Sequence, residues 1–298
     1  MIVLTDPGAL GLPIGHRLRF LGRPVRFVCE DAAACQDMQH SGIEAEVLPS
    51  DPAQAAVLLD ADAVVLEGIP SKDQVGWHER VLAAAEAAGT GLVVRVGPAA
   101  AQPTSPSPRL RRQARTEAAV DASPLPHAVL RHALFMQDLL LFAERLRHDG
   151  RWVTCLGDAS IPYVDARDVV DATVAVLDGD LPRRPVRLTG PASFTTDEVL
   201  RLLGLPPGSK RLDVDPGRFR DVLRDGGMPA EKAAACADLL AHYRLLGRTA
   251  PTDALAGLTG APPRSLAAFL EEHHDRFVEG GGRPVPRPAI RLAAPLSW

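Results

Sequence analysis

The stretch Met1-Ile2-Val3-Leu4-Thr5-Asp6-Pro7-Gly8-Ala9-Leu10-Gly11 decides the fold of this chain. Its first four residues are apolar and read as a strand, and the glycine-bearing turn after them opens a helical pattern over residues 12–21. Strand, glycine turn and helix in that order begin a dinucleotide-binding βαβ unit of the Rossmann type. The turn departs from that pattern at its start. Thr5 stands where a first glycine is expected, and Asp6 brings negative charge to where a pyrophosphate would lie. A β-branched residue resists the backbone angles open to glycine and fills its space. The acid opposes the anion that a helix N-terminus attracts.

Outward from this start, apolar valine-rich runs at residues 24–29, 43–48, 63–66, 92–96 and 128–130 alternate with helical patterns. The helical stretches fall near residues 31–40, 52–59, 72–88 and 110–122. The alternation predicts an α/β fold, a doubly wound parallel sheet of order 3-2-1-4-5-6, with a smaller C-terminal substrate lobe. Residues 1–150 are expected to form the Rossmann-type domain, and residues 151–278 a mixed lobe that returns once to the sheet over about 163–190. In the lobe, strands are expected at 152–156 and 185–188, and helices at 167–177, 195–203, 216–224, 230–246 and 265–277. Residues 98–109 form a Pro/Ser loop at the carboxyl edge of the sheet, readable as a lid or a connector. The tail from 279 to 298 is rich in Gly and Pro and is expected to be irregular.

Composition sets bounds. With 298 residues, 46% hydrophobic, the chain can bury a self-sufficient core. A net charge of −4 argues against nucleic acid as the main partner. No apolar run reaches membrane length and no signal peptide is evident, so a cytoplasmic protein is expected. Cys29, Cys35, Cys155 and Cys236 lack CxxC spacing, which reads as free, mostly buried thiols in a reducing compartment. No histidine, cysteine and carboxylate spacing points to a metal: His273-His274 beside Glu271 and Glu272 suit a solvated helix face.

Five segments carry a family resemblance. They are Ser107-Pro108-Arg109-Leu110 with Thr116-Glu117, Leu130-Arg131-His132-Ala133-Leu134-Phe135-Met136-Gln137-Asp138, Ile161-Pro162-Tyr163-Val164-Asp165-Ala166-Arg167-Asp168-Val169, Leu188-Thr189-Gly190-Pro191, and Leu258-Thr259-Gly260-Ala261-Pro262-Pro263-Arg264-Ser265. In this order, over roughly residues 1–277, the chain resembles the NmrA-like branch of the atypical short-chain dehydrogenases. That branch includes NAD(P)H-dependent quinone reductases, isoflavone-reductase-like enzymes, ergot-alkaloid-type reductases and non-catalytic redox sensors.

The resemblance implies a GxxGxxG loop in which Gly8 and Gly11 are the second and third glycines. At the end of the second strand, Glu30 stands where relatives often carry an arginine for the NADP 2′-phosphate. An acid there suits the ribose hydroxyls of NAD, so NAD(H) is favoured over NADP(H) if any dinucleotide is retained. The Tyr-x-x-x-Lys pair of typical short-chain dehydrogenases is excluded, because Arg167 and Gly247 stand four residues after Tyr163 and Tyr243. Val96-Gly97-Pro98 replaces a frequent Ser-Ser after the fifth strand.

His132 and Asp138 occupy positions that relatives usually fill with Pro and Asn. Near the expected pocket they read as an acid–base pair, with Tyr163 as a further proton donor. Asp138 suits helix capping as well, and Asp165 suits the N-cap of the helix after it. Phe135, Met136, His242 and Tyr243 are the candidate substrate contacts.

The concurrent losses at Thr5, Asp6 and 96–98 favour a cofactor-independent acid–base enzyme of isomerase, cyclase or lyase type. Its substrate would be a small apolar, polyketide-like metabolite of specialised metabolism. On this reading no cofactor and no metal are expected; the partner is a small molecule, not nucleic acid or membrane, and an oligomer is compatible. Two alternatives stand beside it: an NAD(P)H-dependent reductase of quinone- or enone-like substrates, and a non-catalytic ligand sensor.

Overall fold

The computed structural model describes residues 1–5, 8–40, 45–67, 74–179, 181–205 and 210–278. The expectations for Asp6, for residues 43–44 and 72–73, and for the tail from 279 lie outside the described residues. The chain divides into two compact units: Met1–Thr104 with Leu110–His132 and Val169–Arg187, and Ser105–Arg109 with Ala133–Asp168 and the chain from Leu188 on.

The elements open with β1 (Ile2–Leu4), α1 (Gly11–Phe20), β2 (Val25–Cys29), α2 (Ala32–His40), β3 (Ala45–Val47) and α3 (Pro52–Leu58). They continue with β4 (Ala63–Leu66), α4 (Gln74–Ala88), β5 (Val93–Pro98), α5 (Pro108–Ala122) and β6 (His127–His132). After a 3-10 turn at Met136–Leu139 come α6 (Leu140–Asp149), β7 (Trp152–Thr154), α7 (Ala166–Asp178) and β8 (Val186–Leu188). The chain then runs through α8 (Thr196–Leu202), β9 (Arg211–Asp213), α9 (Pro216–Asp225), α10 (Ala230–Leu246), α11 (Ala254–Thr259), α12 (Leu266–Glu272) and α13 (His274–Phe277).

The main sheet has the order β3-β2-β1-β4-β5-β6-β8. Strands β1 to β6 pair in parallel, with Leu66 opposite Arg95 and Gly97 opposite Arg131. The predicted doubly wound order is therefore present, and β8 extends it by a seventh strand beside β6. Continuous apolar runs form these strands because a central parallel strand is buried on both faces. Val3, Val28, Val64, Leu66, Trp77, Val81 and Val93 share one cluster, with Trp77 wholly buried.

Helix α1 lies close on the sheet for a reason visible in its sequence. Gly11, Ile14, Gly15 and Leu18 form its buried face. A Cβ at Gly15 would stand 2.7 Å from Phe27 Cζ and 3.1 Å from Leu4 Cδ1. Gly15 thus performs the close helix–strand packing expected of the last glycine in such loops.

In the second unit, Trp152 stacks on Phe142 at 4.9 Å and on Phe277 at 6.2 Å. Strands β7 and β9 form a separate two-stranded parallel sheet. The helix expected over 265–277 is broken at His273 into α12 and α13. The 98–109 segment carries buried Ala100, Ala101, Ser105 and Ser107, as a packed connector does.

The expectation of four free thiols is corrected. Cys29 ends β2 and Cys35 lies in the first half of α2, and this strand–turn–helix brings their Cα atoms to 5.7 Å, where they are disulfide-bonded. Cys155 and Cys236 are free and buried. Burial pushes the Cys155 thiol up to about 12 and raises that of Cys236 as well. No described helix is long and apolar enough to cross a membrane.

Candidate dinucleotide cradle and buried polar bank

Thr5 is buried at the end of β1, and both its N–H and its hydroxyl donate to the Val65 carbonyl, at 3.3 and 3.1 Å. No described non-glycine residue has positive φ, so Thr5 takes the glycine position without left-handed strain. Leu10, the N-cap residue of α1, supplies no side-chain cap. Helix N-termini present orphan N–H groups that favour an anion. One of these groups is already engaged: Glu67, directly after β4, accepts the Leu10 N–H at 2.8 Å through Oε1.

Glu30, just past β2, is half-buried and meets Arg80 Nη2 at 3.3 Å. The Arg80 guanidinium in turn lies 5.5 Å over the Trp77 ring. The strand end thus presents a balanced acid–base pair. Tested against a dinucleotide, the residues fit: α1 offers first-turn donors, Gly15 seats it tightly, and Arg80 supplies a cation at the ribose end. Among the described residues, the Glu67 carboxylate opposes a phosphate at this helix end.

Behind the cradle lies a buried polar bank that the sequence reading missed. Arg95 on β5 is 1% exposed and donates to the carbonyls of Leu66 and Val96 and to Gln113 Oε1 on α5. Burial lowers its pKa to about 10, against the charges of Glu117 and Glu67, so it remains a cation at neutral pH. A Cβ at Gly97 would stand 2.9 Å from Arg95 Nη2. Gly97, which replaces the expected serine, makes room for this guanidinium. Glu117 on α5 is gripped by Arg131 on β6, whose Nε reaches both carboxylate oxygens at 3.0 Å.

His78 on α4 completes the bank, fully buried, with Nδ1 3.1 Å from Thr116 Oγ1. Burial first, and then the Arg95 charge, lower it from 6.5 to about 3, against a bond to the Glu67 main chain. The unfolded chain takes up this proton near 6.5, whereas the folded chain does not until about 3. The contribution of neutral His78 is therefore complete above the higher value and is lost as pH falls below it, by up to about 1.4 kcal/mol per pH unit. Denaturant midpoints between about pH 7 and about pH 5 are expected to fall less steeply in His78→Gln than in the native chain. Equal slopes would remove His78 as the source of the acid sensitivity.

The other residues singled out in the sequence lie as follows. His132 ends β6, opposite Pro98, and its carbonyl accepts the Ala99 N–H at 2.7 Å. In the second unit, Asp138 is buried and its Oδ2 accepts the Phe135 N–H at 3.3 Å, capping the 3-10 turn. Phe135 and Met136 are wholly buried, and the Met136 N–H donates to the Val164 carbonyl at 2.9 Å. Burial, then Tyr243 and Asp138, hold the Tyr163 phenol well above its ordinary range. His242 is lowered by burial and meets Tyr243 edge to face at 6.2 Å. Asp165 caps α7 through the Arg167 N–H at 2.8 Å, and its carboxylate lies below its usual value: burial opposes this, and the Arg167 and Gln137 bonds prevail. Asp168 accepts the Arg264 N–H at 2.8 Å, fastening one matched segment to another. Among the described residues no group of histidines, cysteines and carboxylates could hold a metal.

Two signals could have revealed the bank: a lone cation in the strand Val93-Val94-Arg95-Val96 and an acid directly after Ala63–Leu66.

No family model matches the chain. It is 30% identical to the (4-alkanoyl-5-oxo-2,5-dihydrofuran-3-yl)methyl phosphate reductase of Streptomyces griseus over 289 residues, covering 93% of this chain and 99% of that protein. It is 25% identical to the NAD(P)H azoreductase of Xenophilus azovorans over an equal length and the same shares. Among solved structures, an NADPH-dependent quinone oxidoreductase of Escherichia coli superimposes with a TM-score of 0.77 at 21% identity, over 91% of this chain and 99% of that one. The triphenylmethane reductase of a Citrobacter species, solved with NADP(H), gives 0.75 at 20% identity over 91% and 99%.

These findings correct two expectations. The cofactor-independent isomerase, cyclase or lyase does not stand, because the relatives matched end to end are reductases. The expectation of no cofactor, and of NAD over NADP, falls with it, since one such relative is named for NAD(P)H and solved neighbours hold NADPH or NADP(H). The physical reason is that three of the departures have local counterparts among the described residues. Thr5 is satisfied by Val65, Glu30 faces Arg80, and Gly97 serves Arg95. With a 30% identical relative spanning nearly the whole chain, the predicted strand order and the five segments in sequence, the chain belongs to the NmrA-like branch of the atypical short-chain dehydrogenases/reductases.

Proposed function

We propose that this chain is an NAD(P)H-dependent reductase of a small organic acceptor with an electron-poor, conjugated double bond. The observation that carries the reading is the end-to-end likeness to the dihydrofuranone phosphate reductase. The name of that protein's substrate describes an alkene flanked by two carbonyls, and the azoreductase acts on an N=N bond. Both accept a hydride at one atom and a proton at its neighbour.

When bound, the nicotinamide supplies the hydride. In this chain, Gly8, Gly11 and the first turn of α1 would hold the pyrophosphate, and Glu30 with Arg80 the adenosine ribose. The proton at the neighbouring atom comes from His132, at the carboxyl end of β6. Tyr163 keeps its proton through the working range, which suits a hydrogen-bond donor and not an acid that must ionise. Asp138 is committed to the Phe135 N–H.

The test follows the absorbance of NADPH and of NADH with an azo dye, a benzoquinone and an acylated butenolide as acceptors. Oxidation of at least one cofactor by at least one acceptor is expected. His132→Ala should lower kcat about 100-fold or more with cofactor affinity unchanged. A folded protein that oxidises neither cofactor with any of the three overturns the reading.

A further inference from the structure

The Leu10 N–H belongs to the helix end that would meet a pyrophosphate, and it is bonded by a carboxylate reaching across 57 residues of sequence. Glu67 is 6% exposed and directly follows β4. Strand β4, which ends at Leu66, pairs directly with β1. Arg95 donates to the Leu66 carbonyl and is held charged in part by Glu67. The carboxylate is thus buried in the first unit, bonded to the Leu10 N–H and within reach of the Arg95 charge.

An N–H group serves one anion at a time, and two anions at one helix end repel. We infer that Glu67 is an internal stand-in for the dinucleotide phosphate, that the cofactor must displace it from the Leu10 N–H, and that Glu67 thereby sets cofactor affinity. The identity of the displacing anion as a dinucleotide rests on the reductase reading.

The test is calorimetric titration of the full chain and of Glu67→Gln and Glu67→Ala with NADPH, NADH and inorganic pyrophosphate. The glutamine keeps an oxygen acceptor and removes the charge; the alanine removes both. Thermal melts establish that each variant is folded, and the near-isosteric glutamine serves if the alanine does not fold. Affinity for NADPH should rise about tenfold in Glu67→Gln and up to about 100-fold in Glu67→Ala, with pyrophosphate following the same order.

Variants that bind NADPH no tighter than the native chain, or not at all, overturn the inference and leave Glu67 a structural cap. The reductase reading is judged on the native chain alone. Tighter binding in the variants with no oxidation of either cofactor by the native chain sinks that reading and keeps this one; oxidation by the native chain with no gain in the variants does the reverse.

Discussion

Gly190→Ala is expected to cost about 3–5 kcal/mol, a large share of the stability of a typical domain. A Cβ at position 190 would stand 2.0 Å from the Tyr163 carbonyl oxygen, with Met136 Cε at 3.4 Å. The obstacle is backbone, so no rotamer change relieves it. The two segments would have to part, and their contacts are numerous. The Gly190 N–H donates to the Pro162 carbonyl at 3.3 Å, and Ile161 and Phe194 exchange bonds at 3.0 and 2.9 Å. Thr189 Oγ1 accepts the Thr252 N–H at 2.8 Å. Moving either segment breaks these together and loosens the turn that carries Phe135 and Asp138. Gly190 is not among the glycines with positive φ, so the cost is one of space alone. Gly257, in the same unit, has open space at its Cβ and provides the control. Urea titrations should show Gly257→Ala close to the native midpoint and Gly190→Ala far below it. A Gly190→Ala chain within about 1 kcal/mol of the native one would refute the close approach.

The positions that were legible in the sequence are those where residue type and local period suffice. Valine-rich runs gave six parallel strands in order, because a strand buried on both faces has little chemical choice. Asp165 was readable as a cap because its partner, the Arg167 N–H, lies two residues away. What could not be read depends on partners far along the chain. Thr5 looks like damage until the Val65 carbonyl is placed beside it, 60 residues on. Glu30 looks like a bare acid until α4 brings Arg80 within 3.3 Å. Cys29 and Cys35 lack the CxxC spacing, and only the turn between β2 and α2 brings their Cα atoms within bridging distance. Read alone, Thr5 and Glu30 look like losses, and the compensating residue of each sits on another strand or helix. The cofactor expectation failed for that reason.

Arg95→Ala is expected to cost about 3–5 kcal/mol, as loss of one member of a buried charged network does. Arg95 stands in the middle of the sheet, paired through β5 with Leu66 on one side and Val129 on the other. Its guanidinium satisfies the Leu66 and Val96 carbonyls and Gln113 Oε1, all within the buried interior. Removing it takes the guanidinium's donors from those acceptors and opens a cavity beside Gly97. It also removes a buried positive charge that acts on Glu67, while Glu117 keeps Arg131. Arg95→Met separates these effects by restoring volume without donors or charge, and should recover the cavity part of the loss, about 1–2 kcal/mol. Arg95→Lys keeps the charge but has no fork to span Leu66 and Gln113 together, and should fall between the native chain and Arg95→Met. The order native, Lys, Met, Ala in denaturant midpoint is therefore the expected result. An Arg95→Met chain as stable as the native one would show that the donors and charge of Arg95 contribute nothing net to stability.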